Sequence, residues 1–137
     1  MKEKKSFFVR ISIWIIAIGF VFFVFTVVFT FSVIYKDVKA ISVKAKEEYK
    51  QDCVHSLIAL FNSSSHSDKE ENLAIYALGQ IADKEALPFL QDLEKKYSCP
   101  GKTKYQDSRC YEIKKAIKWC TKGNITNWMY KGRDEWQ

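Results

Sequence analysis

The stretch NLAIYALGQIADKEALPFL, residues 72–90, decides how the folded part of this chain is read. Its first half sets Ala74, Ala77, Leu78 and Ile81 on one apolar helical face. Asp83 then interrupts the pattern. A short carboxylate competes with the backbone inside a helix but serves well as the cap of the next one. Beyond it, Ala86, Leu90, Leu93 and Tyr97 form a second face, which predicts a helix over 84–97. Pro88 falls near the first turn of that helix, where a missing N–H does least harm.

The same pattern extends on both sides. Val54, Leu57, Ile58 and Phe61 make one face of a predicted helix over 52–61. The polar run from Asn62 to Ser67 breaks it, and Asp68 is the expected cap of the helix over 69–82. After a loop over 98–106 with the turn pair Pro100-Gly101, Ile113, Ala116, Ile117 and Cys120 mark a fourth helix over 107–121. Gly123 is placed to cap its C-terminus. Nowhere does apolar–polar alternation persist over five or six positions. The fold class expected is therefore all-α, with four helices over 51–123 paired as two stacked hairpins. Leu57 then corresponds to Leu87, and Ala77-Leu78 to Ala116-Ile117, the longer third loop absorbing the difference in spacing.

The core ALGQIADKEALPFL, residues 77–90, resembles the HEAT repeat in its bacterial HEAT-like form. The resemblance lies in Ala-Leu-Gly ending one inner helix, an Asp cap, and Ala-Leu-Pro opening the next. It covers roughly residues 52–97 and implies stacked helical hairpins that act as a scaffold. Glu70-Glu71 stand where the family usually has Val-Arg, which removes the arginine of the polar ladder between repeats. Two repeats are few, because such stacks generally need about three to bury a continuous core. A neighbouring helix, the tail, cross-links or a partner must complete this one.

Upstream, ISIWIIAIGFVFFVFTVVFTFSVIY, residues 11–35, carries no charge over 25 positions. Eight of the ten phenylalanines fall between Phe7 and Phe31. A helix of that length reaches roughly 37 Å, enough to cross a hydrocarbon core of ~30 Å with some tilt. A cleaved signal would have an apolar core of only ~7–15 residues and end at small residues. Here the run ends Ser32-Val33-Ile34-Tyr35, so a transmembrane anchor is expected, with its lipid contact through residues 11–35. Residues 1–10 form a basic tail with Lys2, Lys4, Lys5 and Arg10, which favours a cytoplasmic N-terminus. Lys36, Lys39, Lys44, Lys46 and Lys50 weaken that preference from the other side. Over 36–50 a weak stripe of Val38, Ile41, Ala45 and Tyr49 predicts that the membrane helix continues as a helical stalk.

Cys53, Cys99, Cys110 and Cys120 all follow the apolar run, and an even count there favours disulfides. Cys110 and Cys120 lie on one predicted helix about 15 Å apart, too far for the ~7 Å that a bond allows. Antiparallel hairpins bring Cys99 to Cys110 at one end of the domain and Cys53 to Cys120 at the other, so these two pairings are expected. A zinc site needs closer ligand pairs than the lone Cys53-x-His55 provides, and neither a metal nor a cofactor is expected.

Nothing in the chain points to an enzyme. It has two histidines and lacks a nucleophile elbow, a phosphate loop and a zinc-protease motif. The acidic residues from Asp68 to Glu94 read as helix caps and solvated faces. Charge is polarised along the chain. Residues 51–98 carry four Lys/Arg against eight Asp/Glu, and residues 99–137 carry nine against four. The basic half also holds Trp119, Trp128, Tyr130, Lys131, Arg133 and Trp136, the expected partner-binding residues, much of them in an aromatic and basic tail over 124–137. The same aromatics could instead cover the open end of the last hairpin. Asn62-x-Ser64 and Asn124-x-Thr126 match glycosylation acceptors.

The function expected is that of a single-pass, membrane-anchored helical adaptor, an accessory subunit in a cell-membrane or envelope complex. Its domain would lie outside the cytoplasm and bind other protein subunits, with neither nucleic acid nor a small-molecule substrate expected. A structural subunit working through its membrane helix is the alternative. A cysteine-based redox or small-ligand sensor is a third and weaker reading.

Overall fold

The computed structural model describes residues 2–99 and 108–136, with side chains from Arg10 onward. The basic side chains before Arg10 and the Pro100-Gly101 turn lie outside the described residues. The structure is all-α, with a long apolar helix followed by shorter ones and no strand among the described residues. Helix α1 spans Lys2–Tyr49, α2 Cys53–Asn62, α3 Asp68–Ile81, α4 Leu87–Lys96 and α5 Ser108–Lys122. Single 3-10 turns occupy Lys84–Ala86, Asn127–Tyr130 and Arg133–Glu135. By compactness the chain divides into residues 1–34 and 35–137.

The first unit is helical throughout its described length, and nearly all its apolar side chains from Ile11 to Val33 are exposed. Three of its hydroxyls turn back onto the helix. Thr26, Thr30 and Ser32 donate to the carbonyls of Phe22, Thr26 and Val28 at 2.8, 2.8 and 2.9 Å. Back-bonding of this kind hides a hydroxyl where no water is present to receive it. By length and composition, α1 is long and apolar enough to cross a membrane.

The second unit is built on the predicted faces. Helix α2 packs on α3, α4 on α5, and α3 on α5, so α3 is sandwiched between two neighbours. That placement explains why Ile75 is buried along with Ala74, Ala77, Leu78 and Ile81, a wider face than one stripe implies. Phe61 and Phe89 meet edge to face at 5.5 Å and join α2 to α4. Asp52 caps α2 through bonds of 3.1 Å from the amides of Val54 and His55. The cap of α3 is Ser67 rather than the expected Asp68. Ser67 and Glu70 form a reciprocal capping box, which needs a carboxylate three residues after the cap. Asp83 accepts from Glu85 as expected, but the segment after it is a 3-10 turn before α4 begins at Leu87. Gly123, at φ +86°, closes α5 by donating to the Trp119 carbonyl at 2.7 Å.

The expected stalk is an integral helix of the domain. Val38, Ile41, Ser42 and Ala45 are all buried in the second unit. Three groups tie this half of α1 to α3 and its approach loop. Lys44 pairs with Glu70, Glu48 lies 3.1 Å from His66, and the Tyr49 hydroxyl lies 3.2 Å from the same ring.

Candidate interaction surface

The C-terminal tail was a candidate contact surface, and the structure divides its residues into two groups. Tyr130 is fully buried, stacked on Tyr35 at 6.1 Å, with Trp136 edge-on to both rings at 5.8 and 6.2 Å. Arg133 pairs with Asp83. Thr126 is buried and donates to Gln80 at 2.9 Å, and Asn124 donates to the same oxygen at 3.0 Å. The Lys46 ammonium of α1 bonds the carbonyls of Asp134 and Trp136 at 2.6 and 2.8 Å. The tail is thus folded onto the domain. Tyr130, Arg133 and Trp136, expected as partner contacts, all pack within the domain, Tyr130 fully buried and the other two half-buried. The Asn124 acceptor triplet is likewise taken up by internal hydrogen bonds. Trp128, Lys131 and Ile125 remain exposed.

Trp119 sits half-buried on α5 in a separate cluster. The Lys115 ammonium lies 4.7 Å from its ring centre, 5.5 Å from that of Tyr111 and 5.7 Å from that of Tyr76. Glu112, one turn earlier, completes the arrangement at 3.6 Å. Tyr111, Lys114, Lys115, Lys118 and Trp119 line a groove of about 350 Å³ along the outer side of α5. At the start of the same helix, Arg109 reaches Asp68 at 3.0 Å, Glu71 at 3.1 Å, Asn72 at 3.1 Å and the Tyr97 hydroxyl at 3.0 Å. One guanidinium thereby joins α3, α5 and the end of α4. Several acidic residues expected to be solvated (Asp68, Glu70, Glu71 and Asp83) are engaged in such interhelical pairs.

Cys99 and Cys110 are disulfide-bonded, with Cα atoms 5.5 Å apart, and the bond joins the end of α4 to the first turn of α5. The expected Cys53–Cys120 bond is absent, and both are buried free thiols. Their neighbours differ. Cys53 opens α2 beside Ser42 of α1, and its amide donates to Asp134 of the tail at 3.1 Å. Cys120 points its thiol at the Leu78 carbonyl of α3, 3.7 Å away. Pairing the first helix of a four-helix scheme with the last left out α1 and the tail, which cover the start of α2. Burial raises the Cys53 thiol above its ordinary pKa and pushes Cys120 up to about 12.

Asp52, His55 and Glu85 each place one ligand atom within 4.8 Å of the others, all exposed. The arrangement follows from capping. One Asp52 oxygen receives the amides of α2, and the other lies 2.7 Å from His55 Nδ1. A cation there would compete with the cap. Comparison with protein-family models, curated proteins and solved structures finds no match.

Proposed function

We propose that the chain is a single-pass membrane protein whose helical domain serves as an adaptor, binding other protein subunits of a cell-membrane or envelope complex. The observation that carries this reading is the apolar segment from Ile11 to Ile34. Nearly all of its apolar side chains are exposed, it is uncharged, and Thr26, Thr30 and Ser32 bond carbonyls of their own helix. Water would favour none of these features and hydrocarbon favours all of them.

On this reading the N-terminus is cytoplasmic and the domain extracytoplasmic. The Cys99–Cys110 disulfide supports that side, because reducing compartments rarely preserve such bonds. We read the domain as two HEAT-like hairpins, α2 with α3 and α4 with α5, stacked through α3 and α5. The two glutamates that replace the family's Val-Arg then have a local rationale. Glu70 holds Lys44 of α1 and Glu71 holds Arg109 of α5, so the acids take over the bracing that an arginine ladder supplies elsewhere. The α1 segment over 36–49 and the tail complete a core that two repeats would leave open. Their buried side chains leave helix faces, not a reactive centre, as the working surface.

Topology is tested with an exposed reporter, because both free thiols are buried. Ser64→Cys, on the surface loop between α2 and α3, is expected to react with a membrane-impermeant maleimide on intact cells. Labelling only after lysis would place the domain in the cytoplasm and remove the extracytoplasmic reading. Function is tested by replacing residues 11–35 with an unrelated spanning helix and recovering cross-linked partners. An adaptor retains its partners after that exchange. Loss of assembly would favour the structural membrane subunit instead.

A further inference from the structure

We propose that the lysine-bearing outer face of α5 is a docking surface for an acidic polypeptide segment of a partner protein, an inference that rests on the adaptor reading. Helix α5 buries Cys110, Ile113, Ala116 and Cys120. Its other side carries Lys114, Lys118 and Lys122 at successive i, i+4 positions, with Lys115 alongside. Like charges at that spacing cost an isolated helix roughly 0.2–0.5 kcal/mol per pair, and only Lys122, in the last turn, gains from the helix dipole, so helix stability does not explain Lys114 and Lys118. Packing does not explain the row either, because Lys118 and Lys122 are exposed. Neither is ion-paired to another described residue.

Lys115 stands apart from that row. Its ammonium is held over Trp119, Tyr111 and Tyr76 and beside Glu112, which fixes the rings as the walls of a groove. The groove, about 350 Å³, combines an apolar wall from Tyr111 and Trp119 with a lysine rim. It has room for one or two side chains. A carboxylate would meet the rim while a neighbouring apolar residue rests on the exposed Tyr111 ring.

Charge complementarity selects the occupant. The positive excess is local, since residues 51–98 carry twice as many acidic as basic side chains. The shape favours a polypeptide over a lipid headgroup layer. A flat layer of phosphates is met by protruding apolar side chains, whereas of the three rings around Lys115 two, Trp119 and Tyr76, are half-buried and Tyr111 alone is exposed. Acidic side chains entering a concave site gain both the ion contacts and the ring contacts.

The test uses the full chain in phosphatidylcholine nanodiscs and a fluorescein-labelled peptide of repeated Glu-Glu-Leu triplets, read by anisotropy. Binding is expected to weaken with salt and to be lost when the peptide is Gln-Gln-Leu. The Lys118→Glu/Lys122→Glu variant should bind roughly tenfold more weakly, with helical content and the Cys99–Cys110 bond unchanged. Reversal of Lys84 and Lys95, which are exposed outside α5, should leave affinity unaltered. The proposal is overturned if the two double variants behave alike, or if the wild-type chain ignores the peptide. It is equally overturned if the α5 reversal abolishes only a charge-dependent association with phosphatidylglycerol vesicles, which would make the face a lipid contact. Failure here is separable from failure of the adaptor reading. Partners still recovered by cross-linking from the α5 variant would mean an adaptor that uses another face.

Discussion

Gly79 of α3 faces Ala116 of α5 so closely that a methyl group on the glycine would lie 2.9 Å from both the Cα and the Cβ of the alanine. The Trp119 ring stands 3.2 Å from the same point. The obstacle includes backbone, which cannot rotate away as a flexible side chain could. Gly79→Ala should therefore separate α3 from α5 and destabilise the domain by about 1–3 kcal/mol, despite the alanine's better helix propensity. Chemical denaturation followed by circular dichroism measures this directly. A variant as stable as the parent would mean that the two helices pack less tightly than described.

The cysteines give a countable outcome. In the native chain neither Cys53 nor Cys120 should react with iodoacetamide near neutral pH, because both thiols are buried and burial holds each in its protonated form. Unfolding without reductant should expose two thiols, and unfolding with reductant four. Peptide mapping should assign the reducible pair to Cys99 and Cys110. Replacing that pair with serine should lower stability by roughly 2–3 kcal/mol, as expected for a short closed loop.

Much of this architecture is legible in the chain, and the exceptions have identifiable causes. The faces through Leu57, Leu78, Leu90 and Ile113 are evident from spacing alone, and all four residues are fully buried. The Cys99–Cys110 bond follows from placing two cysteines at facing helix ends. The Cys53–Cys120 pairing failed because it treated four helices as the whole domain. Residues 36–49 look like a polar spacer, since lysines and glutamates dilute a stripe that adds to Tyr49 only Val38, Ile41 and Ala45. Burial of those three shows that a sparse stripe suffices when the residues are small and packing is close. The tail is harder still. Nothing in the order Trp128-Met129-Tyr130 tells which ring turns inward, because a 3-10 turn has no extended periodicity to read. The Ser67 cap was readable from its glutamate three residues on and was hidden by the adjacent Asp68.

Acid and alkali should attack different parts of the domain. The Lys44 ammonium, with the Ser67 amide, holds the Glu70 carboxyl down to about 2 from an ordinary 4.5. A depressed folded-state pKa means stability present above the unfolded value and lost as pH falls through the folded one. The Glu70 contribution should therefore fade between about pH 4.5 and 2. Glu70→Gln should flatten that part of the acid-unfolding curve. An unaltered acid limb would show that the pair with Lys44 contributes nothing in solution.

Tyr130 supplies the alkaline counterpart. Burial pushes its hydroxyl up to about 12 from 10, so the fold favours the neutral phenol. A raised pKa gives stability that is complete below the unfolded value and lost as pH rises from 10 towards 12. Tyr130→Phe keeps the ring stacked on Tyr35 and removes the titration. The Tyr130 oxygen has no hydrogen-bond partner among the described residues, so the change should cost little near neutral pH. The variant should then resist unfolding above pH 10 better than its parent, as followed by helical circular dichroism.

The tail permits a sharper separation of folding from binding than wholesale deletion. Removing residues 124–137 strips Tyr130 from its place against Tyr35 and Thr126 from Gln80, and leaves Asp83 without Arg133. Loss of the buried Tyr130 ring alone should cost about 3–5 kcal/mol, on the scale of other aromatic truncations in cores. Such a deletion would weaken partner recovery through unfolding, whatever surface the partner uses. Trp128 is the informative position, because 60% of it is exposed while the turn that carries it stays anchored by Tyr130. Trp128→Ala should leave the unfolding midpoint within about 0.5 kcal/mol of the parent, as for surface positions generally. Reduced partner recovery from that variant would make Trp128 a contact residue, since the fold beneath it is intact. Unchanged recovery from Trp128→Ala, alongside a destabilised deletion, would confine the tail's role to completing the core.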